Sequence, residues 1–364
     1  MRVRKIECIA INVPLRKPYA ISTGQVEYLE HVIVLSHLED GSLGVGEAAP
    51  ATVVSDEFAA DVKLTVENFL AKCVEGQSIF DLERISSDMN RLIPGHTHAK
   101  SAVELSLWDA IGKTLETPLC DLIGGTVKSE VPVAWALGMG TEEGMVREAE
   151  EYVARGFKNL KVKIGTDSKK DLSNVSAIRR AVGPSVSIRV DANGGYTADQ
   201  AIKTLRRMEE YDLELIEQPV PRWDVEGLAR ISKVLDTPVM ADESLGSPED
   251  AMRLVRCEAA DVFNIKVAKL GIRASKKIAA IAESAGLTCS VGSMIESGVG
   301  TAAGAHFSAS TSVVRYSTEL VGTLLITDDI VKGSYRAEAG KIAVPRGNGL
   351  GVELSEEKLR KYRV

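Results

Sequence analysis

FKNLKVKIG (157–165), SIRVDAN (187–193), LELIEQP (213–219), PVMADE (238–243) and ADVFNIKVA (260–268) follow one another at a spacing of about 25 residues. Each is a nearly unbroken apolar run ending in charged or amide residues, the pattern of a strand covered on both faces. Helical periodicity fills the gaps, as in TEEGMVREAEEYVARG (141–156) and ASKKIAAIAESAG (274–286). Working outward, VPVAWALGM (131–139) precedes this block, and LTCSVGS (287–293) and VVRYSTEL (313–320) follow it. Eight strands with seven intervening helices predict an α/β fold of the (β/α)7β, TIM-like barrel type. An open doubly wound sheet of eight strands is the alternative.

Ahead of the Gly124-Gly125 break the pattern differs. KIECIAINVPL, EHVIVLSHL and SLGVGEAAP read as an antiparallel meander turning at Glu39-Asp40-Gly41. DEFAADVKLTVENFLAKC, DLERISSDMNRL and AKSAVELSLWDAIGK then read as helices. The expected organisation is an α+β domain over residues 1–125, a barrel over 126–324, and a tail of short strands over about 325–364 that returns to complete the first domain.

Composition sets outer limits. With 44 Lys+Arg against 51 Asp+Glu the net charge is −7, which argues against nucleic acid, since phosphate backbones call for a basic face. No run of 18 apolar residues is present to span a membrane, and the N-terminus lacks a signal-peptide core, so a cytoplasmic protein is expected. Five scattered cysteines (Cys8, Cys73, Cys120, Cys257, Cys289) show neither zinc spacing nor a disulfide framework and read as free thiols.

Barrel active sites lie at the C-terminal ends of the strands. Those ends carry Lys161 and Lys163, Asp191 and Asn193, Glu217, Asp242 and Glu243, and Lys266. Asp191, Glu217 and Asp242 are one repeat apart each, which predicts three carboxylates side by side on adjacent strands. Such a group cannot ionise fully without a cation, and all-oxygen ligation suits Mg²⁺ or Mn²⁺. Lys161 and Lys163 share a strand face, and Lys266 stands four strands further on. Crowded together, a lysine is expected to have a depressed pKa and to serve as a general base. A purely structural cage, three lysines balancing three acids, is the competing reading.

Two motifs lead elsewhere. Gly298-Val-Gly300-Thr-Ala-Ala-Gly304 opens a helix, but its spacing and position do not fit a dinucleotide fingerprint; its N–H groups could instead meet a substrate carboxylate. His96 and His98, in PGHTHAK, are expected in a solvated loop rather than a metal site.

Taken in order, KVKIG, RVDANGGY, IEQP, MADES, NIKVAK and GSMIES resemble the enolase superfamily, in its muconate-lactonizing (muconate cycloisomerase) subgroup of the mandelate racemase/muconate lactonizing enzyme family. The resemblance extends from VPLRKPYAIS (13–22) to GLGVELSEEKL (349–359). It implies a discontinuous α+β capping domain whose loops, here Arg16–Gly24 and Ala49–Glu57, close over the barrel mouth. It implies metal ligands at Asp191, Glu217 and Asp242, acid–base lysines at Lys163 and Lys266, and a companion lysine at Lys161. Substrate contacts are implied at Tyr19, Ile21, Trp135, Asn193, Ser293, Met294 and Glu319.

The reaction implied is abstraction of a proton α to a carboxylate, giving a metal-stabilised enediolate. Cycloisomerisation of a muconate-like dicarboxylate is the first expectation. N-acylamino acid racemisation or dipeptide epimerisation is the second, and dehydration to succinylbenzoate a distant third. STELVGTLLITDDIV (317–331) resembles cycloisomerases, with Val321 and Thr323 departing from their usual Phe and Pro. Ser317-Thr318-Glu319-Leu320 lacks the Asp-x-Asp of dipeptide epimerases. A small carboxylate substrate and a homo-oligomer complete the expectation. A Schiff-base aldolase using Lys163 or Lys266 is a further alternative, which borohydride would trap covalently and which would need no metal. A non-catalytic scaffold would have no use for opposed lysines around a metal cluster.

Overall fold

Seven of the eight expected barrel strands form one parallel sheet. A computed structural model describes the chain except residues 52 and 54, two positions of the expected loop 49–57 that lie outside the described residues. The barrel strands are β5 (Trp135–Leu137), β6 (Asn159–Lys163), β7 (Ser187–Asp191), β8 (Leu213–Glu217), β9 (Val239–Ala241), β10 (Val262–Ile265) and β11 (Thr288–Val291). They pair in chain order, all parallel. A helix follows each, and the layers share one apolar core.

The eighth expected strand, 313–320, departs from the sequence reading. It makes only isolated bridges, Val314 to Cys289 of β11 and Thr318 to Val133. The reason is competition by side chains. The Ser317 carbonyl accepts from Arg189 Nη1 at 3.1 Å and Ser290 Oγ at 3.0 Å, so it cannot join a ladder. The bridges still close the ring. VPVAWALGM likewise divides, because β4 (Glu130–Pro132) leaves the barrel to pair antiparallel with β12 (Lys341–Ala343) of the tail.

The N-terminal sheet is antiparallel: β1 (Val3–Ile21), β2 (Gly24–Leu38) and β3 (Leu43–Ala48). Because β1 runs on to Ile21, Arg16–Gly24 is the tip of a long β-hairpin and not an open loop. A second core lies between this sheet and the helix Thr97–Thr114. Gly44 and Gly46 make that approach possible: a Cβ there would stand 2.1 Å from the Ser106 carbonyl oxygen and 2.0 Å from that of Ala102. The tail returns to β1 through bridges at Ile326 and Arg363.

The glycine motif at 298–304 opens the helix Gly298–Ala309, and its N–H groups are already taken. Glu47 of β3, wholly buried, accepts from Ser297 N at 2.9 Å, Ser297 Oγ at 2.7 Å and Gly300 N at 2.7 Å, with His31 Nδ1 at 2.7 Å. Gly298 N donates to Asp329. The expectation of a substrate carboxylate here is therefore corrected: the N-terminal unit supplies the carboxylate. Burial acts to raise the Glu47 pKa, yet His31 and Ser297 hold it below its ordinary value. Replacing Glu47 by alanine strands several buried donors, and a loss of about 3–5 kcal/mol in denaturant-unfolding stability is expected.

The histidine reading also changes. His98 lies in the first turn of the helix Thr97–Thr114, buried, with Nε2 2.9 Å from Ser55 Oγ. His306, unremarked in sequence, is fully buried between Cys120 N, which donates to Nδ1 at 3.1 Å, and the Leu350 carbonyl, 3.1 Å from Nε2. Burial pushes the His98 pKa down to about 3 and that of His306 to about 4. The unfolded chain then binds more protons below the ordinary value of 6.5, so stability falls as pH drops from about 6.5 to 4. For His306 the loss is on the order of 3 kcal/mol. Denaturant titrations at pH 7 and pH 4 check this, and a His306→Gln variant should show a shallower decline. The five cysteines are free, and among the described residues no helix is long and apolar enough to cross a membrane.

Candidate active site

The barrel's register builds the site. Lys163 pairs with Asp191, and Asp191 with Glu217, so these three stand level across β6, β7 and β8. Glu217 faces Met240 on β9, which places Asp242 two residues beyond that level, at the strand's exit. Lys266 follows β10 and opens the helix Val267–Ser284.

Lys161, Lys163, Lys266, Asp191, Glu217 and Asp242 are all buried, at 0–8% exposure, and they are paired. Lys161 Nζ lies 2.8 Å from Asp191, 2.9 Å from Glu217 and 2.7 Å from Glu319. Lys163 Nζ donates to Asp191 Oδ2 at 2.6 Å and Asn193 Oδ1 at 2.8 Å. Lys266 Nζ donates to Asp242 Oδ2 at 2.6 Å. Among the described residues no three His, Cys, Asp or Glu side chains meet where they would hold a cation, because ammonium groups stand between the acids.

The depressed lysine pKa is corrected. Burial acts to lower Lys161, but Asp191, Glu217 and Glu319 overcome it and hold its pKa well above the ordinary value. Lys266 is raised in the same way, with Asp242 and Glu243 opposing burial. The carboxylates divide. Burial raises Glu217 well above its ordinary value, reinforced by Asp191 and Glu319, whereas Asp191 is lowered because Lys161 and Lys163 outweigh its burial. Asp242 is lowered against its burial chiefly by Lys266. Glu243, which accepts from Asn193 Nδ2 at 2.8 Å, is pushed up to about 7 by burial and by Asp242.

The donors themselves are all carboxylate and amide oxygens, the type that a hard divalent cation takes. Glu243 and Glu319 bring the local carboxyl groups to five around three lysines, and burial beside the other acids raises two of them, Glu217 and Glu243, above their ordinary values. Buried oxygens Glu217 Oε2, Glu243 Oε2, Glu319 Oε1 and Asn264 Oδ1 accept no hydrogen bond, although Glu217 Oε2 lies within ion-pair reach of Lys161. Surplus buried acceptors of this kind are costly unless a cation serves them. The balance of three lysines against three acids therefore does not describe the cage.

Among the expected substrate contacts, Tyr19, Ile21, Asn193, Ser293 and Met294 line the cavity mouth with Lys163 and Lys266, and Glu319 lines its inner part. Trp135 does not. Its ring stacks on Tyr152 at 3.4 Å and its Nε1 donates to Glu148 at 3.0 Å, both on the outer helix Glu142–Ala154. The strand period of two turns Ala136 inward in its place. Val321, Leu325 and Ile295 are lining residues that the sequence reading did not assign.

The hairpin tip and the barrel are joined at this mouth. Ser22 Oγ donates to the Ala192 carbonyl at 2.9 Å, Met139 N to the Ala20 carbonyl at 3.0 Å, and Arg222 pairs with Asp56 at 2.7 Å.

A capped α/β barrel with opposed lysines and a carboxylate cluster at its strand ends defines an enzyme of the enolase-superfamily type. The chain belongs to the mandelate racemase/muconate lactonizing enzyme family: residues 4–124 match the family's N-terminal domain and residues 144–358 the enolase C-terminal domain-like profile. It is 35% identical to the N-succinyl-L-Arg/Lys racemase of Bacillus cereus, over 100% of this chain and 98% of that one. The structure of that racemase superposes with a TM-score of 0.97. It is 34% identical to a chloromuconate cycloisomerase of Cupriavidus necator, over 100% and 99% of the two chains. A dipeptide epimerase of Enterococcus faecalis, complexed with Mg and the dipeptide L-Leu-L-Tyr, is 32% identical with a TM-score of 0.93, covering 97% of this chain and all of that one.

Proposed function

We propose that this protein moves a proton at the carbon α to a carboxylate through an enediolate, with Asp191, Glu217 and Asp242 holding Mg²⁺ or Mn²⁺. It cycloisomerises a muconate-like dicarboxylate: one carboxylate oxygen adds across a C=C bond, and a lysine then gives its proton to the α carbon of the enediolate so formed. The observation that carries the reading is that Lys163 and Lys266, from opposite sides of the barrel, line one cavity beside Asp191 and Asp242. A divalent cation bound there supplies charge that stabilises an enediolate. Lys161, tied to three carboxylates, is a fixed positive charge and not a proton carrier. Lys163 and Lys266 each stand where a proton can be given or taken on one face of the substrate. Tyr19, Ile21 and Met294 give the cavity mouth an apolar lining.

Glu319 bears on the substrate class. Its carboxylate is engaged by Lys161 and lies 3.8 Å from Arg189. Lys161 takes Oε2 and leaves only Oε1 for a substrate ammonium, one oxygen where the Asp-x-Asp of dipeptide epimerases offers two carboxylates, which disfavours dipeptides. Racemisation of an N-acylamino acid is the second reading, favoured by the presence of a lysine for each face. Incubation in D₂O separates the two: a cycloisomerase consumes the diene absorbance of a muconate, whereas a racemase washes deuterium into the α position. Failure of both, with metal supplied, would overturn the proposal.

A further inference from the structure

Ile295 holds a backbone conformation that its residue type resists. Its φ is +62°, and among the described non-glycine residues with positive φ it is the one with a β-branched side chain. Such a residue in the left-handed region is strained, and strain of this kind persists only where the surroundings enforce it. Asn193 and Gln218, also at positive φ, stand at the ends of β7 and β8, so the barrel mouth gathers these conformations.

The enforcement around Ile295 is visible. Its N–H donates to Ser293 Oγ at 2.9 Å. Glu296, buried, folds back to accept from Met294 N at 2.8 Å and from Ser293 Oγ. On the other side Gly322 presses directly on the same peptide. A Cβ at position 322 would fall 2.2 Å from the Glu296 carbonyl oxygen and 2.7 Å from the Ile295 carbonyl carbon.

The result is a side chain set between chambers. Ile295, with Lys163 and Lys266, lines both an inner cavity of about 60 Å³, which reaches Lys161, Asp242 and Glu319, and an outer one of about 70 Å³, which reaches Ile21, Asn193 and Met294. It also borders a third cavity, about 160 Å³, against the start of β2. Each lies below the roughly 300–1,000 Å³ usual for a small-molecule site. Lys163 and Lys266 border both the inner and the outer cavity, so a substrate whose reacting carbon is at the lysines and which fills more than one chamber lies against Ile295.

We infer that Ile295 is a specificity-determining partition, a strained aliphatic wall that sets how large a substituent on the reacting carbon the two chambers bordering the lysines can hold. This rests on the proton-transfer reading above. It is tested with Ile295→Gly and Ile295→Ala. Deuterium exchange is followed by NMR for N-acetylalanine, N-acetylleucine and N-acetylphenylalanine, and lactone formation for muconate and 3-substituted muconates.

Both variants should raise the kcat/KM ratio of the bulkiest to the smallest substrate at least tenfold over wild type, a size typical of steric discrimination. The backbone makes a separate prediction. Glycine normally lies below alanine in stability, but here it relieves the positive φ, so the Gly variant should melt above the Ala variant by about 1–2 °C. An unchanged ratio in both variants overturns the partition, and Gly melting below Ala overturns the strain that holds it. If the wild type turns over none of these compounds, the proton-transfer reading fails and takes the partition with it; the Gly–Ala order still reports the strain by itself.

Discussion

Asp191→Asn, Glu217→Gln and Asp242→Asn are each expected to weaken Mg²⁺ binding and to lower turnover by at least about 10²–10³, the scale seen when one preorganised electrostatic contact to a transition state is removed. The fold should survive the first two. Without the Asp191 charge, Lys163 retains Asn193 Oδ1, and Lys161 retains Glu217 and Glu319. Without the Glu217 charge, Lys161 retains Asp191 and Glu319. Asp242→Asn is different, because Asp242 carries the one ion pair found for Lys266 among the described residues. That variant should show the largest loss of thermal stability as well as of activity. Calorimetric titration with Mg²⁺ and melting curves, run on the same preparations, separate the two effects. Unchanged Mg²⁺ affinity in all three variants would show that these carboxylates serve only the lysines.

The period of the apolar runs made the barrel legible, since strands buried on both faces leave few alternatives at 25-residue spacing. Charged residues at the ends of those runs made the site legible for the same reason: Lys163, Asp191 and Glu217 stand out because their neighbours are apolar, and the structure sets them level. Side-chain competition for backbone groups was not legible. Nothing local in VVRYSTEL says that Arg189, 128 residues earlier, will take the Ser317 carbonyl and reduce a strand to two bridges. The direction of Trp135 was equally hidden, since a three-residue strand gives no pattern from which to tell Trp from Ala as the inward residue. Glu47 could have been flagged by its place in the strand LGVGEA, where a carboxylate has no solvent. Its partner, a helix start some 250 residues away, could not. The sign of the lysine pKa shift was missed because the lysines were set against one another, whereas the structure ties Lys161 first to Asp191 and Glu217 and Lys266 first to Asp242, with Glu319 and Glu243 adding to them.

Lys163→Ala and Lys266→Ala should each cost at least about 10²–10⁴ in the step that each lysine serves, the usual contribution of a positioned acid or base. The two losses report the reaction. Lys163 projects from β6 and Lys266 follows β10, with β7, β8 and β9 between them. A planar intermediate lying between them presents one face to each lysine. Cycloisomerisation needs a proton on one face only. One alanine variant should then lose nearly all lactone formation from a muconate, while the other, having lost charge but not the proton donor, loses distinctly less. Racemisation needs both faces, so both variants should fail to interconvert enantiomers while each still exchanges the α proton of one enantiomer with D₂O. Lys161→Ala serves as the reference. It removes a charge shared by Asp191, Glu217 and Glu319 and touches neither face, so it should lower the rate for both enantiomers alike. A muconate that does not react, together with one-enantiomer exchange in both variants, would replace cycloisomerisation by racemisation. Losses below tenfold in both variants, on a substrate that the wild type turns over, would remove lysine acid–base catalysis from the account altogether.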